Sequence, residues 1–185
     1  MAEALKVLGI SGSLRKASFN TMALRAAQKL VPEGMSIEIA DISEIPLYNE
    51  DLKADGHPEA VQRFRDQIKA ADGVLFVSPE YNYSIPGVLK NAYDWASRPP
   101  EQPFNEKPVA IMGASPGMWG TAKMQYDLRK TLVFTNSFVM PRPEVFIAKA
   151  AEKFDGDGNL IDEKTKQVVT DFLKSFQSWI VRVRD

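Results

Sequence analysis

Short apolar runs alternate along this chain with longer stretches in which apolar residues recur every three or four positions. The first run, residues 7–10 (VLGI), leads straight into the polar loop GSLRK, which fits a buried strand feeding a tight turn. From Thr21 the period changes: Ala23, Leu24, Ala27, Leu30 and Val31 fall on one helical face, and Pro32 with Gly34 marks the stop. Residues 35–40 read as a second strand, and Val61, Phe64, Ile68 and Ala71 stripe a helix after Pro58. The pattern then predicts a strand over 73–77, a helix over 87–96, a strand over 109–112 and a helix over 122–134. Residues 137–147, interrupted by PRP, predict a bent fifth strand. The final helix places Val168, Val169, Phe172, Leu173, Phe176, Ile180 and Val183 on its buried side.

Five short strands alternating with five helices imply an α/β fold: a doubly wound parallel sheet with helices on both faces, reached by right-handed crossovers. At 185 residues one such domain accounts for the whole chain, and neither a second domain nor an internal repeat is visible. Lysine and arginine total 23 against 24 acidic residues, so no bulk field draws the protein onto nucleic acid or an anionic membrane. No apolar run approaches the roughly 20 residues of a membrane span. The start MAEALKVLGIS lacks the basic and long apolar regions of a secretory signal, so the cytoplasm is the expected location. The chain has no cysteine, which excludes thiol nucleophiles, disulfides and thiolate metal sites, so any redox chemistry needs a cofactor.

In sheets of this kind ligands bind beyond the carboxyl ends of the strands, where strand order reverses. The loop after the first strand, GSLRKASFNT, is composed for a phosphate. Gly12 allows close backbone approach, Ser13, Ser18 and Thr21 offer hydroxyls, the helix opening near Asn20 offers N–H groups, and Arg15 adds a charge-assisted bond. The spacing matches neither a dinucleotide GxGxxG nor a GK[ST] triphosphate loop, so a monoester fits better. The plainer alternative is a turn with Ser18 or Asn20 as helix cap.

The loop after the third strand, SPEYNYSIP, sets two tyrosines around an asparagine. A flat heterocycle needs an aromatic wall and backbone donors at its polar edge, which Tyr81 and Tyr83, with the amides between Glu80 and Ser84, can provide. Packing of the tyrosines at a subunit interface is the competing account. The loop after the fourth strand adds Ser115, Gly117, Met118 and Trp119, glycines leaving room for a ring and large side chains to cover it.

Other segments carry less. DGDGN, residues 155–159, opens like a calcium loop, but the sixth and twelfth positions hold Leu160 and Lys166, so a surface turn is expected. His57 is the only histidine and is assigned to the surface, and the basic VRVRD end suits a helix C-terminus.

Taken together, GSLRKASFN, PEYNYSIPGVLKNAYDW and GASPGMWG resemble the NADPH-dependent FMN reductase family, with its quinone, azo-dye and chromate reductase members, over essentially the whole chain. The resemblance implies a flavodoxin-like sheet of order 2-1-3-4-5 and non-covalent FMN. By matching position it puts the phosphate on Ser13, Arg15, Ser18, Asn20 and Thr21, and the isoalloxazine against Pro79, Glu80, Tyr81, Asn82, Tyr83, Ser115 and Gly117. It further implies NADPH or NADH as electron donor, with Arg98, Tyr83 and Met118 toward the nucleotide or substrate, and a small-molecule electron acceptor. It implies a homodimer with the flavin near the interface. Lys123, Tyr126 and Glu144 match a network joining dimers into tetramers, but Lys123 stands where those relatives carry arginine and cannot form the same two-pronged bond, which leaves the tetramer open.

The expected activity is hydride transfer from NAD(P)H to FMN and then to the acceptor on the same face, with catalysis by placement rather than by a side-chain acid or base. Two alternatives from other classes are a flavodoxin-type electron carrier without NAD(P)H activity and a regulator holding a different phosphorylated ligand. The carrier's usual strong acidity is missing here, and Arg15 in the phosphate loop also speaks against it.

Overall fold

The structure, a computed structural model, describes residues 4–54 and 56–184. Strands β1 (Leu5–Ser11), β2 (Met35–Ala40), β3 (Gly73–Val77) and β4 (Pro108–Ala114) lie parallel, and helices α1 (Phe19–Lys29), α2 (Glu59–Ala70) and α3 (Gly87–Ala96) connect them. Helix α4 (Ala122–Val133) leads to β5 (Phe138–Val139) and β6 (Val145–Ile147), and α5 (Glu163–Arg184) closes the chain. The sheet order is β2-β1-β3-β4-β5, the flavodoxin-like order, with β6 also paired to β4.

The expected bent fifth strand is therefore two short strands. β5 pairs with Pro108 and Val109 and β6 with residues 112–114 of the same neighbour. Pro141 and Pro143 supply no N–H to a ladder, so the chain leaves the sheet between them and returns. The return carries Ile147 to the C-terminal end of β4, where its carbonyl accepts from Ser115 N at 2.9 Å.

Alternation along the central strands divides the core. Val7, Leu75, Val77 and Met112 pack with Leu24 of α1 and Phe172, Phe176 and Ile180 of α5. Leu8, Ile10, Phe76 and Ile111 turn the other way onto Phe64 and Ile68 of α2, Leu89 of α3 and Leu128 of α4. Each large side chain buried in this way stabilises the fold by about 1.5–3 kcal/mol. Val168, expected on the inner stripe of α5, is 42% exposed, because the stripe that meets the sheet runs through Thr165, Val169, Phe172 and Phe176. The basic C-terminus does more than face a helix dipole: Arg184 forms an ion pair with Asp72 at the start of β3.

The 155–159 turn closes on itself, the Asp155 carboxylate accepting from Asp157 N at 3.0 Å and Asn159 N at 2.7 Å. Of its glycines only Gly158 takes positive φ. Among the described residues no helix is long and apolar enough to cross a membrane.

His57 corrects its surface assignment. Both ring nitrogens are shielded from water and have no hydrogen-bond partner among the described residues, and the ring stands edge-on to Trp95 at 6.3 Å. Burial first, then the charges of Arg65 and Lys53, push its pKa below the usual imidazole value. Arg65, itself buried, donates to the carbonyls of Ala96 and Arg98 at 2.7 and 2.8 Å. The unfolded chain thus binds a proton more readily than the folded one. Stability is expected to hold above about pH 6.5, to fall as pH drops through the imidazole range, and to level off below the depressed folded value. Urea midpoints between pH 5 and 8 check this, with His57→Phe expected to flatten that part of the profile.

Candidate active site

Three loops meet at the C-terminal edge of the sheet, following β1, β3 and β4. In the first, Gly12 N continues the ladder by donating to Val77 O at 3.0 Å, and the chain then turns outward through residues 13–17. Ser18, almost fully buried, caps α1: its Oγ accepts from Asn20 N at 3.2 Å and Thr21 N at 3.4 Å. Among the described residues, the N–H groups of Ser13, Leu14, Lys16, Ala17 and Phe19 have no acceptor in the protein. They flank the positive end of α1 in the chain, and unpaired donors beside a helix N-terminus suit an anion. Arg15 is exposed, its guanidinium donating to Ala17 O at 2.5 Å and lying 5.8 Å from the Phe19 ring centre. Thr21 Oγ1 sits 2.8 Å from Ser11 Oγ. A cavity of about 300 Å³ lined by Ser11, Ser13, Arg15, Thr21 and Arg25 adjoins this loop.

Asn20 plays a part that residue type alone did not disclose. Its Nδ2 donates to Ala114 O at 2.9 Å and its Oδ1 accepts from Ala114 N at 2.8 Å, with the side chain 3% exposed. Both polar atoms of the amide tie the opening of α1 to the end of β4, with one Nδ2 hydrogen left for a further partner.

The second loop folds into a tight hairpin turn. Tyr81 and Ser84 exchange backbone bonds of 3.2 and 3.0 Å, and Asn82 and Tyr83 between them adopt φ of 51° and 67°. The left-handed region is unusual for a tyrosine, and such strain persists only where surrounding contacts impose it. Here three side chains of the loop grip α4. Glu80 Oε2 accepts from Lys123 N at 3.0 Å and Met124 N at 3.1 Å, the Tyr83 ring centre lies 3.0 Å under Lys123 Nζ, and Ser84 donates to Asp127. The hydrogen bonds from Lys130 and Ser84 hold the Asp127 carboxyl below its ordinary range. The N–H groups of Glu80, Asn82 and Tyr83 are left without acceptors among the described residues.

The third loop is braced from below. Ser115 N donates to Ile147 O and Ser115 O accepts from Ala150 N, both at 2.9 Å, while Gly117 O accepts from Lys149 N at 3.0 Å. Met118 and Trp119 are 79% and 75% exposed. Gly113, where β4 ends, permits the loops to touch: a Cβ there would come within 2.5 Å of Ser78 O and press into Thr121. Pro79 separates buried Ser78 from Glu80.

The structure thus places Ser13, Arg15 and Ser18 on the first loop, Asn20 and Thr21 in the opening turn of α1, and Pro79, Glu80, Tyr81, Asn82, Tyr83, Ser115, Gly117 and Met118 on the two neighbouring loops. It does not bring Arg98 to them within one chain. Arg98 follows the last turn of α3, about 16 Å along the axis from Gly87. Its guanidinium donates to Asp94 O and Ser97 Oγ, both at 3.0 Å, and faces the rings of Tyr48 and Phe134. Lys123 is committed to Tyr83, whereas Tyr126 is paired with Glu144, a bond that raises the tyrosine pKa. Glu144 also meets Arg142 at 3.0 Å. Ser84 and Asp127 went unread in the sequence, where an ordinary helix carboxylate 43 positions away carries no signal.

Residues 5–152 match the model of the family described as NADPH-dependent FMN reductase. The chain belongs to the NADPH-dependent FMN reductase family. It is 59% identical over 184 residues to an NAD(P)H-dependent FMN reductase of Pseudomonas aeruginosa, the match covering all of both chains. It is 44% identical over 187 residues to a quinone reductase of Escherichia coli strain K12, again over all of both. The flavoenzyme NAD(P)H:(acceptor) oxidoreductase FerB of Paracoccus denitrificans shares the fold at a TM-score of 0.89, with 39% identity over 97% of this chain and 98% of the other. Like its family, the chain is an oxidoreductase with FMN as cofactor and NAD(P)H as electron donor. The donor set on the three loops fits that cofactor: anion-seeking N–H groups lie on one loop, with aromatic surface and further free N–H groups on the others.

Replacing Asn20 with alanine leaves both backbone groups of Ala114 buried without partners. A loss of about 2–4 kcal/mol in unfolding free energy is expected, read by urea denaturation of the flavin-free protein.

Proposed function

We propose that this reductase holds FMN across the ends of β1, β3 and β4 and passes electrons from NAD(P)H to small acceptors of the quinone class, one domain doing the whole task. The observation that carries this reading is the set of backbone N–H groups without acceptors on three adjoining loops, beside exposed aromatic and apolar surface. Ser13, Ser18 and Thr21, with Arg15 and the free N–H groups of residues 13–17, receive the phosphate. The N–H groups of Glu80, Asn82, Tyr83 and Gly117 meet the ring's polar edge, where negative charge collects on reduction, and Pro79, Tyr81 and Ser115 frame it. Bound FMN supplies the hydride-accepting and electron-donating chemistry. Tyr83 and Met118 border the open face on which donor and acceptor take turns, which accounts for a two-stage exchange without a side-chain acid or base. Azo compounds, chromate and free flavin are further acceptors such a face admits. The cytoplasm, where NAD(P)H is generated, is the corresponding location.

A homodimer completes this reading. Tyr126 and Val133 on α4 and Phe134 at its C-cap form an exposed apolar stripe, at 57%, 76% and 73% exposure. Tyr83 and Lys123 stand at one end of that helix, and Arg98 stands beside Phe134 at the other. A two-fold axis across α4 pairs the stripe with its own copy and carries Arg98 of one subunit toward the Tyr83 end of its partner. The Tyr126–Glu144 pair lies within one chain, and Lys123 is turned away from it, which favours a dimer over a tetramer.

Mixing with FMN is expected to give a yellow protein whose oxidised absorbance is bleached by NADPH or NADH and restored by a quinone in stopped flow. Arg15→Ala is expected to raise the FMN dissociation constant about tenfold or more, measured by quenching of flavin fluorescence. Persistent oxidised colour with both nucleotides in excess would instead indicate an electron carrier.

A further inference from the structure

The first turn of α4 is the helix N-terminus nearest the second and third loops, and its positive end is already spent. The Thr121 side chain makes no cap bond, and Glu80, reaching over from the second loop, accepts from both Lys123 N and Met124 N. A helix N-terminus carries about half a positive charge and a carboxylate a full negative one, so the pair leaves net negative charge beside the loops. An opposite charge lies close by: the Lys123 ammonium sits over the ring of Tyr83, a residue whose N–H has no acceptor among the described residues. Glu80, on the second loop, and Lys123, on α4, are thus charges of opposite sign beside the segment 80–83.

We propose that Glu80 is a positioning residue that sets the reduction potential of bound FMN, its carboxylate masking the N-terminus of α4 and holding the potential down, with Lys123 acting in the opposite sense. This rests on the reading that the flavin ring lies over the second and third loops. Reduction places negative charge on the ring, so a neighbouring carboxylate disfavours the reduced state and a neighbouring ammonium favours it. A helix end freed of its carboxylate would also favour the reduced state. The two residues therefore differ in the direction of their effect, which separates charge from packing. Neither residue gives or takes a proton or an electron in this role.

Glu80→Gln keeps an oxygen acceptor for the α4 amides and removes the charge. At saturating FMN its reduced-to-oxidised affinity ratio is expected to rise about tenfold, about 30 mV in midpoint potential for a two-electron couple, measured anaerobically against a reference dye. Lys123→Met, on an exposed part of α4, is expected to move the potential down. Hydrogen exchange at Lys123 and Met124 is expected to stay close to wild type in Glu80→Gln and to quicken in Glu80→Ala. The proposal is overturned by an unchanged potential in Glu80→Gln, by shifts of the same sign in the two charge variants, or by a folded Glu80→Gln protein that no longer takes up FMN. Wild-type protein that takes up no FMN is a separate result, visible before any variant is made, and it removes the functional reading along with this one.

Discussion

One buried amide holds together the two loops furthest apart in sequence at this site. Asn20 meets the N–H and the carbonyl of Ala114 with its own carbonyl and amino groups, joining the opening of α1 to the end of β4 across 94 positions of sequence. A parallel sheet aligns its strand ends but leaves the loops beyond them without a common ladder. Something other than the sheet must hold those loops in one surface, and a side chain that satisfies two buried backbone groups at once does so with defined geometry. Ser18 caps α1 two residues earlier, so the same short segment orders the helix start and anchors it to the far strand.

The middle loop is held by a different device. Its tyrosine occupies a backbone region that usually suits glycine, and contacts from Glu80, Tyr83 and Ser84 to α4 impose that conformation. The strained turn leaves N–H groups without acceptors among the described residues. Backbone donors of this kind need no reorganisation when charge develops nearby, which suits a protein whose chemistry belongs to a bound cofactor.

The architecture was legible because its causes are local. All-apolar runs of four to six residues between amphipathic stretches specify buried parallel strands, and the family motifs mark the loops between them. Where local pattern and structure part, tertiary packing explains the difference. The fifth strand divides because two prolines cannot serve a ladder. Val168 faces outward because the inner stripe of α5 is set by how the helix crosses the sheet. The ring nitrogens of His57 are shielded and the ring stands edge-on to Trp95, a contact with no signature in the residues around it.

The same division holds at the site. Residue type and order alone determined the run of strands and helices and the absence of thiol chemistry, and they singled out three loops as candidates for the site. Which polar groups remain free was decided only in three dimensions. Asn20 and Glu80 read as cofactor ligands in the sequence; in the structure their side chains are bonded to Ala114 and to the first turn of α4, and Arg98 stands at the far end of α3. A hydrogen-bonding group can serve only the partners its surroundings leave to it, and those surroundings are contributed by residues tens of positions away.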